Sequence, residues 1–363
     1  MADALLVLAD GSAFAGRSIG ARGRADGEVV FNTSMTGYEE MLTDPSYAGQ
    51  ILVLTYPMIG NYGIDPAVEE SARIQPCALV IRELAEYASH PRSQGTLREL
   101  LESRGVVAID QVDTRAITRR IRAHGVMLGT VTTDEAYEEA LARVRSLPAY
   151  DSIDWVSTVT ADAPYDWEPP AELRHRVAVV DGGVKRNILR LLRSRGCAVR
   201  VFPASTSAAD VLAWKPDGVV WSPGPGDPDL LEAAVAEART FIGRVPLFGI
   251  CLGHQVIGRA LGASTFKLPF GHRGGNHPVK DLVTGRVTIT AQNHGYAVDP
   301  AGLSGAAYVS HINLNDGTVE GLAMHTEPVM TIQYHAEACP GPLDSTPMFD
   351  RFVQMMAEVK GTP

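Results

Sequence analysis

The second half of the chain alternates short apolar runs with segments whose apolar residues recur at helical spacing. The pattern predicts strands at 177–180, 198–202, 218–221, 245–250 and 329–334, and helices at about 185–195, 210–214, 230–243 and 255–261. Strands that alternate with helices indicate right-handed βαβ units and a largely parallel sheet. Ligands of such sheets bind at the carboxyl ends of the strands. After Gly262 the pattern predicts shorter strands and turns.

The first half is less regular and mixes the two element types. It predicts strands at 4–8, 28–32, 51–55, within 73–84, at 106–109 and at 129–132, and helices at 97–103, 113–123 and 134–145. The stretch 32–50 has little periodicity and many hydroxyl groups, which indicates a shaped loop. Prolines then collect before residue 176, as is typical of a connection between domains.

We therefore predict an α/β protein with two domains. Residues 1–150 form a smaller mixed α/β domain, and 151–175 connect it to the second domain. Residues 176–363 form that second domain, in which helices flank a largely parallel sheet. The length of 363 residues agrees with two hydrophobic cores rather than one.

Composition narrows the class of protein. With 45% hydrophobic and 20% charged residues the chain has the composition of a soluble globular protein. The net charge of −10 argues against a nucleic-acid partner, which calls for a basic face. No apolar run is long enough to span a bilayer, and the N-terminus lacks the pattern of a signal peptide. We expect a cytoplasmic protein with no membrane partner.

The apolar run that ends at Ile250 is followed at once by Cys251 and then by a predicted helix. Gly249 and Gly253 flank the cysteine at two residues on each side, which is the layout of a nucleophile elbow. Glycine is needed there because a side chain would collide with neighbouring backbone. The helix N-terminus favours a thiolate, so Cys251 is the candidate nucleophile.

The other three cysteines lack this context. Cys77 and Cys197 are interpreted as small core residues, while Cys339 is a rival nucleophile with no strand–turn–helix signal around it. The four cysteines lie far apart without a Cys-x-x-Cys pair, which favours a reduced protein without disulfides.

A thiolate nucleophile needs a base, and the base needs a group that orients it. His335 and Glu337 follow the strand predicted at 329–334, and on extended backbone both side chains lie on one face. A metal site is the alternative for this pair, but no convincing third ligand is found, and we predict no metal. The histidine-rich run 272–277 resembles a metal tract, although a turn is favoured.

The tetrahedral intermediate of acyl transfer needs hydrogen-bond donors. The backbone N–H groups of Leu252 and of Gly224, in the Pro-Gly-Pro-Gly loop, are the candidates. A rigid turn is an equally good interpretation of that loop taken alone. The run 185–187 fits no phosphate-binding motif and is interpreted as the polar start of a helix.

Together these motifs resemble the triad-type (class I) glutamine amidotransferases. The resemblance rests on the runs around Cys251, His335 and the Gly224 loop, and it covers 176–363. Four runs in the first half (32–40, 44–50, 56–63 and 113–118), together with 270–278, are similar to the small-subunit family of glutamine-dependent carbamoyl-phosphate synthases. The alternatives are a subunit that serves another synthase and a catalytically inactive docking subunit.

The resemblance implies a glutaminase. Cys251 would attack the glutamine amide to give a γ-glutamyl thioester and ammonia, His335 would act as base and then as acid, and Glu337 would orient His335. Gly224 and Leu252 would form the oxyanion hole. The remaining residues implied to hold L-glutamine are Ser46, Gly226, Gln255, Asn293, Gly295 and Tyr296.

The resemblance also implies a partner. A large synthase subunit would bind ATP, Mg and bicarbonate and would make carbamoyl phosphate for arginine and pyrimidine synthesis. The first domain would dock on it and contribute Ser46 to the glutamine site. No cofactor is expected on this chain, which has no Walker-type loop.

Four positions depart from the usual family pattern. Ala336 stands where proline is usual, Cys339 where serine is common, Pro223 where asparagine precedes the Gly-Pro-Gly loop, and Tyr296 where phenylalanine is usual. None of them removes a catalytic group. Ala336 leaves the His335–Glu337 backbone less restrained than proline would.

Overall fold

The computed structural model describes residues 3–361, and the chain divides into two units, Met1–Ile153 and Asp154–Pro363. Within the described range no helix combines the length and the apolar character that crossing a membrane requires. Each unit has its own sheet system.

The first unit is built on a closed barrel. Its strands are β1 (Ala4–Leu8), β2 (Ala13–Ser18), β3 (Arg24–Asn32), β4 (Gln50–Leu54), β5 (Met58–Ile59), β6 (Ala78–Val80), β7 (Glu83–Leu84), β8 (Val107–Asp110) and β9 (Met127–Thr132). The barrel runs in the order β1-β2-β8-β6-β4-β3-β9, and β9 closes it against β1. β3, β4, β6 and β8 are parallel neighbours, while β5 and β7 form a separate two-stranded sheet.

The α-helices in the described part of the first unit are α1 (Tyr38–Thr43), α2 (Leu97–Ser103), α3 (Thr114–His124) and α4 (Tyr137–Val144). The 97–103 helix has the predicted bounds because Thr96 and Glu99 form a capping box at its start. The prediction of a loop over 32–50 was wrong in part. Gly37, with φ of 89°, turns the chain into α1, and a 3-10 turn over Pro45–Tyr47 follows.

The second unit contains a ten-stranded mixed sheet. Its strands are β10 (Tyr165–Asp166), β11 (His175–Asp181), β12 (Cys197–Pro203), β13 (Gly218–Trp221), β14 (Leu247–Ile250), β15 (Ser264–Asp281), β16 (Val287–Asp299), β17 (Ala307–Asn313), β18 (Val319–Met324) and β19 (Val329–Ile332). The sheet order is β10-β12-β11-β13-β14-β19-β18-β16-β15-β17. The run β12-β11-β13-β14-β19 is parallel, as the alternating pattern predicts.

The helices of the second unit are α5 (Val156–Val159), α6 (Arg186–Ser194), α7 (Ala208–Ala213), α8 (Glu232–Phe241), α9 (Leu252–Ala260) and α10 (Pro347–Lys360). Alternate strand residues face opposite sides of the sheet. Val177 and Val179 belong to the cluster that contains α6 and α10, whereas Ala178 and Val180 belong to the cluster of α7, α8 and α9. Burial of each of these valine side chains contributes about 1.5–3 kcal/mol relative to exposure.

The region after Gly262 corrects the sequence interpretation. Instead of short strands and turns it forms a long hairpin of β15, with 18 residues, and β16, with 13 residues. The run 272–277 therefore lies within β15 rather than in a turn. A register shift between Gly274 and His277 interrupts the pairing, which obscures the two-residue period in the sequence.

Candidate active site

Cys251 occupies a strained turn between β14 and α9. Its backbone φ of 53° and ψ of −104° are unusual for a residue with a side chain. Its N–H group donates to the carbonyl of Ile332 at 2.8 Å, which ties the turn to the end of β19. α9 begins at the next residue, so Cys251 is the N-cap of this helix. The predicted elbow is thus present in the backbone.

The two flanking glycines are required by close backbone approaches. A Cβ atom on Gly249 would lie 2.6 Å from the Gly253 carbonyl oxygen, and one on Gly253 would lie 2.2 Å from the Trp221 carbonyl oxygen. Both obstacles are main-chain atoms of the packed sheet and helix, so they cannot move aside as a flexible side chain would.

We expect Gly253→Ala to destabilise the protein by about 1–3 kcal/mol or more, because the methyl group overpacks this contact. Urea unfolding measures the effect. Gly305→Ala is the control, since a Cβ atom there meets nothing within 4 Å. Equal stability of the two variants would show that the Gly253–Trp221 contact does not constrain the elbow.

His335 and Glu337 meet as predicted. Nδ1 of His335 donates to Oε1 of Glu337 at 2.5 Å, and both side chains are buried. The contact forms with alanine between them, and Ala336 is itself fully buried. The N–H group of His335 donates to the Ala291 carbonyl, which holds the segment against β16.

The other ring nitrogen of His335 faces Cys251. Burial alone would lower the pKa of His335, but the charges of Glu337 and of the Cys251 thiolate outweigh it and raise the pKa to about 10. Nε2 makes no hydrogen bond of ordinary geometry among residues 3–361. Nε2 is therefore not aligned in a hydrogen bond with Cys251, as is common for catalytic contacts before substrate binds.

Two residues that sequence reasoning missed hold the Glu337 loop. Nζ of the buried Lys185 lies 3.2 Å from Oε1 of Glu337 and donates to the Ala338 carbonyl, and the Asn187 amide donates to the Glu337 carbonyl. Burial would raise the pKa of Glu337, but the charges of Lys185 and His335 outweigh it and lower the pKa to about 2. The sequence feature that could have identified Lys185 is its position, just beyond a strand at the ligand-binding edge of a parallel sheet.

The candidate oxyanion donors also come together. A Cβ atom on Gly224 would lie 2.7 Å from Cδ2 of Leu252, so the loop and the start of α9 are adjacent. Within the described part of the chain, neither residue's N–H donates to a protein acceptor. Their role as oxyanion donors stays a prediction.

Some of the residues predicted to hold glutamine in the second unit lie close to Cys251 or to α9. The Asn293 carbonyl lies 3.8 Å from Sγ of Cys251, and Gln255 donates from Nε2 to the Tyr296 carbonyl at 2.9 Å. Gly295 lies between Asn293 and Tyr296 on β16. Gly226, with φ of 94°, lies beside Trp155. Their roles as glutamine ligands stay predictions.

Ser46 belongs to the first unit. It lies in the 3-10 turn Pro45–Tyr47, where its N–H donates to Asp44, and its Oγ atom is buried with no hydrogen bond to residues 3–361. Its predicted contact with glutamine stays a prediction.

The remaining thiols differ from Cys251 in environment. Cys197 belongs to the hydrophobic core, where burial raises the pKa of its thiol to about 12, so the core interpretation is confirmed. Cys77 is half-buried, and burial raises the pKa of its thiol also. Cys339 follows Glu337 on a loop and caps no helix.

Sequence comparison places these residues in a family. The carbamoyl phosphate synthase small chain of Syntrophotalea carbinolica is 47% identical over 366 residues, which cover 97% of this chain and 97% of the relative. The chain belongs to the carbamoyl phosphate synthase small chain family. The small chain of Akkermansia muciniphila is 49% identical over 98% of both chains. The chloroplastic small chain of Oryza sativa subsp. japonica is 48% identical and covers 98% of this chain and 82% of the relative.

Two family models match the small chain, one in each of the two parts that its motifs distinguish. The carbamoyl-phosphate synthase small chain CPSase domain matches residues 6–131, and the class-I glutamine amidotransferase model matches 178–355. The resemblance identified from the motifs is therefore confirmed. The α/β class is confirmed as well, whereas the closed barrel of the first unit was not predicted.

Proposed function

We propose that this small chain hydrolyses glutamine to glutamate and ammonia and delivers the ammonia to a large synthase subunit. That subunit makes carbamoyl phosphate from bicarbonate and ATP, the first step towards arginine and pyrimidines. The arrangement of Cys251 on a strained elbow, with His335 beside it and Glu337 behind, carries the proposal. An inactive docking subunit would have no need of this strained and buried arrangement.

The charges of the site set the order of proton transfers. The raised pKa of His335 makes its ring a strong acceptor for the proton of Cys251, so transfer of that proton from Sγ to the ring prepares the nucleophile. Sγ attacks the amide carbon of glutamine, and the N–H groups of Leu252 and Gly224 stabilise the oxyanion. His335 gives its proton to the leaving amine, so ammonia departs and a γ-glutamyl thioester remains. Neutral His335 then activates a water molecule that hydrolyses the thioester and regenerates the thiolate.

The need for a partner follows from the product. Ammonia in neutral solution is mostly protonated and has then lost its nucleophilic lone pair. A glutaminase that supplies a synthase therefore gains by passing ammonia directly to it. No cofactor is assigned to this chain, and ATP, Mg and bicarbonate are assigned to the large subunit.

The deciding experiment is glutamine-dependent formation of carbamoyl phosphate by this chain mixed with a large synthase subunit, ATP and bicarbonate. We expect product with both subunits and none without this chain. Glutamate release without carbamoyl phosphate would mean that the chain serves another synthase. Absence of glutamate release under all conditions would favour the inactive docking subunit.

A further inference from the structure

Three buried polar side chains meet in the part of the second unit's sheet that β15, β16 and β18 form. His272 on β15 and His294 on β16 are directly opposite each other in the hairpin, and Glu320 lies on β18. One donor atom from each of these three side chains lies within 4.8 Å of the others. All three residues are buried, and Glu320 is fully so.

Hydrogen bonds determine which ring nitrogen of each histidine carries the proton and which has a free lone pair. Nδ1 of His294 contacts the Tyr296 carbonyl at 2.7 Å, and a carbonyl only accepts, so Nδ1 carries the proton. Nε2 of His294 is then a bare lone pair. Nε2 of His272 donates to Asp316 at 2.8 Å, which leaves Nδ1 of that ring as the second lone pair. Neither lone pair receives a hydrogen bond from any residue of the range 3–361.

The carboxylate completes a set of acceptors. Its two oxygens accept from Asn313 at 2.8 Å and from Gln292 at 2.9 Å, which fixes its orientation. Oε1 also lies 3.9 Å from Nδ1 of His272, too far for a hydrogen bond. Two imidazole lone pairs and a carboxylate thus converge with no donor between them. Buried acceptors in this state call for a cation or a donor molecule.

We propose that His272, His294 and Glu320 bind a divalent transition-metal ion, with Zn²⁺ as the best fit. Two histidines and one carboxylate are a known ligand set for Zn²⁺. The bonds of His272 to Asp316 and of His294 to a backbone carbonyl are the outer contacts that fix the tautomer of metal-bound imidazoles. The charges of Glu320 and Asp316 together balance a doubly positive ion.

The site is separate from the triad, but one of its strands, β16, also bears predicted glutamine ligands. His294 lies between Asn293 and Gly295, and its Nδ1 shares the Tyr296 carbonyl with Gln255. A metal ion would link β15, β16 and β18 to one another. It would thereby hold in place β16, the strand that bears the predicted glutamine ligands. Its role is structural, and the inference does not depend on the proposed reaction.

The test measures Zn²⁺ bound to the full chain after dialysis against ZnCl₂ and removal of loose ions, with metal analysis and calorimetry as readouts. We expect one ion per chain, and loss of that ion in Glu320→Gln and in His272→Gln. Asp316→Ala removes the outer contact to His272 and also the two hydrogen bonds that Asp316 accepts from Thr318, and it should weaken binding about 10- to 100-fold. His325→Gln changes an exposed histidine of the same unit and should bind as the parent does.

The active-site thiol is the main competing ligand, so the same measurement is made on Cys251→Ser. We expect this variant to keep the ion, and Co²⁺ bound to it should show no thiolate charge-transfer band. Loss of the ion in Cys251→Ser would place it at the triad and overturn the proposal. Absence of any bound ion, as expected if water fills the cluster, or full binding by Glu320→Gln would overturn it as well.

Discussion

Cys251→Ser is expected to abolish glutamine hydrolysis, with a decrease in kcat of about 10⁴-fold or more, the order seen when the nucleophile of a triad is lost. Serine is nearly isosteric, but its hydroxyl gives up a proton far less readily than a thiol does and is a weaker nucleophile. Glutamate release measured with the small chain and its partner checks the result. Ammonia added directly should still support carbamoyl phosphate formation, because that step needs no thiol.

Matched variants separate loss of the nucleophile from loss of the fold. Cys77→Ser lies in the first unit and should leave hydrolysis unchanged, and Cys339→Ser tests the rival thiol on the Glu337 loop. If Cys251→Ser kept its activity while Cys339→Ser lost it, the nucleophile would be Cys339. Unfolding curves that coincide for the parent and Cys251→Ser would show that the loss is chemical.

Glu337→Gln is expected to lower kcat about 10²- to 10⁴-fold and to change its pH dependence. Burial lowers the pKa of His335. The charge of Glu337 is the largest of the influences that oppose burial and raise this pKa to about 10. Without this charge the pKa falls, so His335 loses its proton at lower pH and the thiolate loses its counter-ion. The alkaline limb of the rate profile should therefore move to lower pH.

The pH–rate profile of glutaminase activity measures the shift, and Glu358→Gln, on the exposed face of α10, is the control. A Glu337→Gln enzyme with lower kcat and an unmoved alkaline limb would mean that Glu337 only positions the ring. An unchanged kcat would remove Glu337 from the triad.

The sequence predicted the parts of the molecule whose signal is local. The strand that ends at Ile250 and the glycines beside Cys251 were identifiable because each is required by its immediate neighbours. The parallel strands were identifiable because their apolar runs are bounded by helices with their own period. His335 and Glu337 came from their two-residue spacing after a strand.

The missed features depend on contacts between distant residues. Closure of the barrel rests on the pairing of β1 with β9, which no local pattern encodes. The β15–β16 hairpin is interrupted by register shifts, and its exposed and glycine-rich stretches hide the two-residue period. Lys185 was interpreted only as part of the polar start of a helix, because lysine is rarely buried unless paired and its partner Glu337 is far along the chain.

The hydrogen bond from the Cys251 N–H group to the Ile332 carbonyl also bears on the reactive thiol while the chain folds. A reactive thiol in an incompletely folded chain invites oxidation and stray cross-linking. The positive φ of Cys251 is supported from one side by β19, the strand that leads to His335. The strained conformation of Cys251 therefore depends on the pairing of β14 with β19. The geometry of the nucleophile and the position of its base are set by the same pair of strands.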